Sequence, residues 1–300
     1  MSEKKRKGTP LWQISKKFNF AAEKIIPDSF VFCVVLTLVV AVLSLTVCHI
    51  GPVELLTSWW DGLSSQFTLA FQMGLMVVVC ATCARSPQVS KLLDGLAGLV
   101  HTRVAALILL MAFGYVSSML NWAFCTIVTP ILAMQLAKRV KGLHFPMMVA
   151  GGYCCMILGQ CLGPSATLYS NLATEGSNYA EIVGKTMTVA ETCYNPVNVV
   201  LWVVLAVCFI VLVLFTQPGD DELVELRSIA TQADVAPKDY QSREKATTPA
   251  EKMNTCKPIM WVVGAAIFIY IIYSIATKGF FATLNMNMVI FMFVVNNCFL

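Results

Sequence analysis

The chain has 300 residues, 57% of them hydrophobic and only 13% charged, with a formal net charge of +4. An ordinary soluble domain carries roughly 25% charged residues, so no water-facing surface can be assembled from this composition. That excludes a soluble globule and makes lipid the solvent.

Residues 1–28 form a basic N-terminus with Lys4, Lys5, Arg6 and Lys7. The apolar stretch that follows is too long for a signal-peptide core and has no small-residue cleavage site, so it reads as an uncleaved first span. Phe18, Phe20, Ile25 and Ile26 are placed to lie at the membrane interface before it. Crossing the hydrocarbon takes about 20 mostly apolar residues. Runs that meet or approach this length cover 29–50, 67–84, 105–120, 122–137, 145–162, 197–215 and 259–276, and an eighth opens at Met288. Because that last run stops at Leu300, the chain reads as a truncated product. All 17 acidic and all 21 basic residues fall between these runs or at their edges, as a charge penalty of about 2.5 kcal/mol or more in hydrocarbon demands. If the spans alternate, all the basic residues but Lys185 and Lys278 share one side of the membrane, which places the N-terminus in the cytoplasm.

The stretch from Arg103 to Ala137 would make a helix of roughly 52 Å, too long for one crossing. Basic residues flank it at both ends, Arg103 before and Lys138, Arg139 and Lys141 after, so the chain returns to the side it left. A broken hairpin is predicted, either two full crossings or a re-entrant pair, with its turn near residues 117–122. Backbone freed by a turn at membrane depth must be satisfied by protein or by a wet cavity. Ser117, Ser118 and Asn121 are the polar groups at hand, and they are candidates both for capping helix ends and for binding a solute. Trp122 opens the following half-helix, whose partly positive N-terminus suits a carboxylate, and Trp122 and Phe124 could wall a short apolar tail.

Farther on, Gly151 and Gly152 offer close helix packing. Gly159 to Ser165 is irregular, and Gln160, Ser165 and Thr167 there are candidates for solute contact or for a plain helix end. The polar stretch 171–195 is too patchy to span and allows at most a short surface helix. Residues 216–258 carry 8 acids, 6 bases and four prolines and read as a flexible cytoplasmic connector. The organisation is thus a basic N-terminus (1–28), a first transmembrane bundle of about six segments (29–215), the charged loop (216–258) and the start of a second bundle (259–300).

The twelve cysteines and three histidines form no metal-ligand spacing, and Cys80 with Cys83 is a CxxC by spelling alone. There is no HExxH, GxSxG or P-loop, and no Asp or Glu lies inside a span, so neither an enzyme nor an ATP-driven pump is expected. No cofactor, metal or nucleic-acid partner is expected.

Several short pieces in order resemble the bacterial short-chain fatty acid transporters of the acetoacetate and butyrate uptake type. They are Ile26-Pro27-Asp28, Trp60-Asp61-Gly62, Asn121-Trp122-Ala123-Phe124, the exit from Ala137 to Val140, Phe145-Pro146 with Tyr153, and Asn198. The resemblance implies an all-α polytopic transmembrane helical bundle that forms the first half of an inverted-repeat transporter. It also implies uptake of small monocarboxylates across the cytoplasmic (inner) membrane, coupled to a proton or sodium ion, with the lipid bilayer as partner and a homo-oligomer allowed. Asn121 and Trp122 match the hairpin motif of that family, and Asn198 matches a polar position at the head of its span. The substrate-binding candidates are therefore Ser117, Ser118, Asn121, Trp122, Gln160 and Asn198. Two departures stand out: Gln160, Cys161 and Leu162 dilute the expected Gly-rich segment, and family members run beyond residue 300. The alternatives are a carrier of other organic anions such as dicarboxylates, a non-functional truncated remnant, and a membrane-bound enzyme.

Overall fold

The computed structural model describes residues 8–163, 166–229 and 257–299. Among them every regular element is helical. In chain order the helices are α1 (Pro10–Ile25), α2 (Ser29–Thr46), α3 (Pro52–Ser65), α4 (Phe67–Ala84), α5 (Pro87–Ala97), α6 (Arg103–Leu120), α7 (Trp122–Arg139) and α8 (Phe145–Leu162). Then follow α9 (Thr167–Leu172), α10 (Asn178–Val183), α11 (Val189–Thr192), α12 (Pro196–Phe215), α13 (Leu226–Ile229), α14 (Lys257–Lys278), α15 (Phe280–Thr283) and α16 (Met286–Phe299). Among the described residues, six stretches are long and apolar enough to cross a membrane by length and composition. Most of the connector expected over 216–258 lies outside the described residues, as do Ser165 and the Lys4 to Lys7 cluster.

The helix starts follow local chemistry. Thr9, Asp28, Ser86 and Thr102 each accept a backbone N–H from the first turn of the helix they precede, and Pro10, Pro52 and Pro87 sit where a missing N–H costs nothing. Among the longer helices α1, α3 and α5 went unread in the sequence, because all three are amphipathic segments of ordinary polarity rather than apolar runs. The polar stretch 171–195 holds short helices rather than a span, as expected.

The chain divides into two compact units. One comprises residues 1–73 with 215–221. In it, Thr9 donates from both its N–H and its hydroxyl to the Gln217 carbonyl, and α2 buries no residue at all, as a lipid-facing helix should.

The other unit, 74–214 with 222–300, contains the main core. α6, α7 and α8 pack on one another around Leu107, Leu110, Met111, Leu132, Leu136, Met148 and Cys155. Leu93 and Ala97 of α5 and Ala206 and Val213 of α12 complete the cluster. Lipid tails are as apolar as leucine, so helices here associate by close fit and not by the hydrophobic effect. Gly152 and Gly159 provide that fit. A Cβ on Gly152 would stand 2.9 Å from the Thr129 hydroxyl, and one on Gly159 would stand 2.5 Å from the Ser118 Cβ. The close-packing role read for Gly152 is what the structure has. A smaller cluster of Ile271, Met288 and Val295 joins α14 to α16.

At the basic end of α7 and α8 the chain is clasped by segment 222–226. Gly142 N–H donates to the Glu225 carboxylate (2.7 Å), Phe145 N–H to the Val224 carbonyl (2.9 Å), and Val224 N–H to His144 Nδ1 (3.1 Å). His144 is buried, and that burial pushes its pKa below the ordinary value of 6.5.

Candidate functional site

The hairpin turns on a single residue. α6 ends at Leu120, α7 begins at Trp122, and Asn121 between them is extended at φ −164°, ψ 133°. The Cys125 thiol reaches the Gly114 carbonyl at 3.3 Å, so the two helices fold back antiparallel. Asn121 is fully buried. Its backbone N–H donates to Ser117 O (3.0 Å), and its carbonyl accepts from Cys125 N–H (3.0 Å). The side-chain Oδ1 accepts from Ala123 N–H (2.8 Å) and Phe124 N–H (3.1 Å), with the Cys80 thiol of α4 at 3.5 Å. Its Nδ2 lies against the Met76 thioether, a weak acceptor. A break of this kind strands helix-end donors in the protein interior, and one asparagine satisfies two of them.

The other sequence-named residues divide into two groups. Ser117 and Ser118 are buried beside Asn121, and their hydroxyls donate back into α6, to Gly114 O (2.9 Å) and Tyr115 O (2.8 Å). Ser118 also meets α8 at Gly159, so the turn and the end of α8 come together. Trp122 is half-buried at the head of α7. Gln160 is half-buried on α8, and its side chain makes no hydrogen bond among the described residues. Asn198 fastens two segments to α12: its Nδ2 donates to Leu162 O (3.0 Å) and Cys193 O (2.7 Å), and its Oδ1 accepts from the Tyr169 hydroxyl (3.4 Å). Phe124 does not face open space. It is buried against Phe293 of α16, with ring centroids 5.6 Å apart.

Beside the turn lies a half-open cavity of about 350 Å³, lined by Met119 and Leu120 at the end of α6, by Tyr194 ahead of α12, and by Phe280, Met292, Phe293 and Asn296 among others. Met119 and Leu120 fall in the turn expected over 117–122, but none of the lining residues was named from the sequence as a solute contact. Tyr194 was hidden in a polar stretch, but Asn296 and Asn297 gave a readable signal, a pair of amides inside an otherwise apolar run. Asn296 Nδ2 donates to Cys83 Sγ (2.9 Å) and Asn297 Nδ2 to Val79 O (2.8 Å), so α16 is tied to the same turn of α4 that reaches Asn121. Among the described residues no three His, Cys, Asp or Glu side chains gather as a metal site.

Apolar helices long enough to cross a bilayer, packed through glycine contacts around a buried one-residue hairpin turn, define a multi-pass α-helical membrane protein. The chain matches the short chain fatty acid transporter family over residues 11–300 and belongs to it. It is 26% identical over 282 residues to a protein of Escherichia coli (strain K12) and 25% identical over 289 residues to one of Haemophilus influenzae (strain ATCC 51907 / DSM 11121 / KW20 / Rd). Both carry the name "Putative short-chain fatty acid transporter". Each alignment takes in 93% of this chain, which spans 63% of the length of either relative. No solved structure matches.

Proposed function

We propose that this protein carries short-chain monocarboxylates such as butyrate or acetoacetate across the cytoplasmic membrane, driven by a proton or sodium gradient. The observation that carries the reading is the family match along nearly the whole chain. The hairpin supports it: a buried helix break held by Asn121, with a small cavity beside it, is the kind of interruption at which transporter sites gather. In this reading Asn121, Ser117, Ser118 and Asn198 act by holding the interrupted helices in place, while Trp122 and Gln160 are the sequence-named residues left to meet the solute. The basic N-terminus and the 216–258 loop face the cytoplasm.

The test is uptake of labelled butyrate and acetoacetate into membrane vesicles carrying the protein, under an imposed pH or sodium gradient. Accumulation above empty vesicles that collapses with the matching ionophore is expected. Uptake at background under both gradients would overturn the reading.

A further inference from the structure

We infer that the cavity at the end of α6 is the chain-length filter of the carrier. Its aromatic and thioether wall takes the alkyl tail of a short straight-chain acid, and Tyr194 and Asn296 hold the carboxyl end. This rests on the short-monocarboxylate reading above and deepens it.

Size argues first. At about 350 Å³ the cavity stands at the lower end of the roughly 300–1,000 Å³ found for small-molecule sites, which suits a solute of few atoms. Chemistry argues second. Among the residues lining it, Tyr194 and Asn296 carry the polar side-chain atoms, and the rest are Met, Leu, Val and Phe. A short fatty acid has the same division, one polar end and one apolar end. Asn296 uses an amide hydrogen on Cys83 and keeps a second N–H for an oxygen acceptor.

The wall is also supported from behind. Phe281 packs edge-on against both Tyr194 and Phe280 at 5.4 Å, and buried Phe124 backs Phe293 at 5.6 Å. Rings held in this way give a pocket of defined depth, and depth discriminates between chain lengths. The pocket also communicates with the turn. Asn296 is bonded to Cys83 and Asn121 to Cys80, one turn apart on α4, so a solute against Asn296 presses on the helix that braces the hairpin.

The experiment uses the purified protein in lipid nanodiscs and labelled butyrate, displaced by unlabelled straight-chain acids of two to eight carbons. Size-exclusion profiles confirm that each variant is folded. The parent is expected to prefer acids of about four carbons. Met292→Ala should deepen the pocket and improve binding of longer acids relative to butyrate by about fourfold for each further methylene accommodated. Met292→Phe should move the optimum to shorter acids. Tyr194→Phe should weaken all the acids by about tenfold without reordering them, because it removes a hydrogen bond to a charged group and no wall. A general loss of fold cannot produce opposite shifts in chain-length order from two substitutions at one position. If both Met292 variants keep the parental order while butyrate binding persists, the filter is wrong and the carrier reading stands. If the parent binds no short acid at all, the carrier reading fails and takes the filter with it.

Discussion

At the scale of single residues, Asn121 shows how one buried side chain can close a helix break. Its Oδ1 holds the first free N–H groups of α7 in a place where water is not available to replace it. Asn121→Ala should therefore destabilise the protein by about 1–3 kcal/mol, the cost of leaving buried donors unsatisfied. Asn121→Ser, another good cap, should recover part of that loss. Thermal unfolding in detergent, followed by loss of the monodisperse size-exclusion peak, measures both. Kinetics separate this role from direct solute contact. For a cap, uptake should fall with the amount of folded protein at unchanged KM; a rise in KM at full folding would mean that Asn121 touches the solute. The sequence made the turn legible at this residue because polar groups stand out in an apolar run. It could not say which way those groups face, and all three candidates at the turn point into the protein. Asn296 was legible on the same grounds, but its run is short and lies far along the chain, so nothing in the spacing links it to the turn.

At the scale of elements, the helices in the apolar runs were readable to within about four residues at their ends, since hydrocarbon thickness and the cost of charge leave few choices. α3 and α5 were not readable because they are amphipathic segments and not apolar runs, and the clasp over 222–226 was not because it depends on pairing between distant segments. The helix contacts were half legible: small residues marked close packing without naming a partner. Gly159→Ala should clash with Ser118, including its backbone carbonyl at 2.8 Å, and cost about 1–3 kcal/mol through overpacking. The double variant with Ser118→Gly should regain part of it, and a thermal-shift double-mutant cycle measures the coupling.

The clasp gives a pH dependence. His144 is neutral and accepts the Val224 N–H on Nδ1, while Glu222, Glu225 and Arg103 lie on the segments around it. Its pKa in the folded protein is depressed, so the released state binds protons more readily. The clasp's stability is thus complete above the ordinary histidine value of about 6.5 and is lost as pH falls through the lower folded value. Hydrogen exchange of segment 222–228, corrected for its intrinsic rate, should accelerate between pH 7.5 and 5.5 in the parent. In His144→Gln, which cannot titrate, it should be independent of pH.

At the scale of the whole molecule, charge is the feature that connects sequence to orientation. Lysine and arginine near span ends resist translocation, and their excess marks the cytoplasmic side when it is counted over short loops. Under alternating spans the bias is lopsided: Lys185 and Lys278 stand against every other basic residue of the 21. Two segments distinguish the orientations. One is the stretch around Gly176, an exposed residue at φ +72° between α9 and α10, where an insertion disturbs little. The other is the charged loop near Pro237. An epitope placed after Gly176 should be reached by antibody on intact spheroplasts, and one placed after Pro237 only once the membrane is opened. The reverse pattern would put the N-terminus outside. It would also turn the molecule around, with the end of the bundle that carries the α6–α7 turn toward the other compartment, and the uptake assay of the proposed function would have to be run on inverted vesicles.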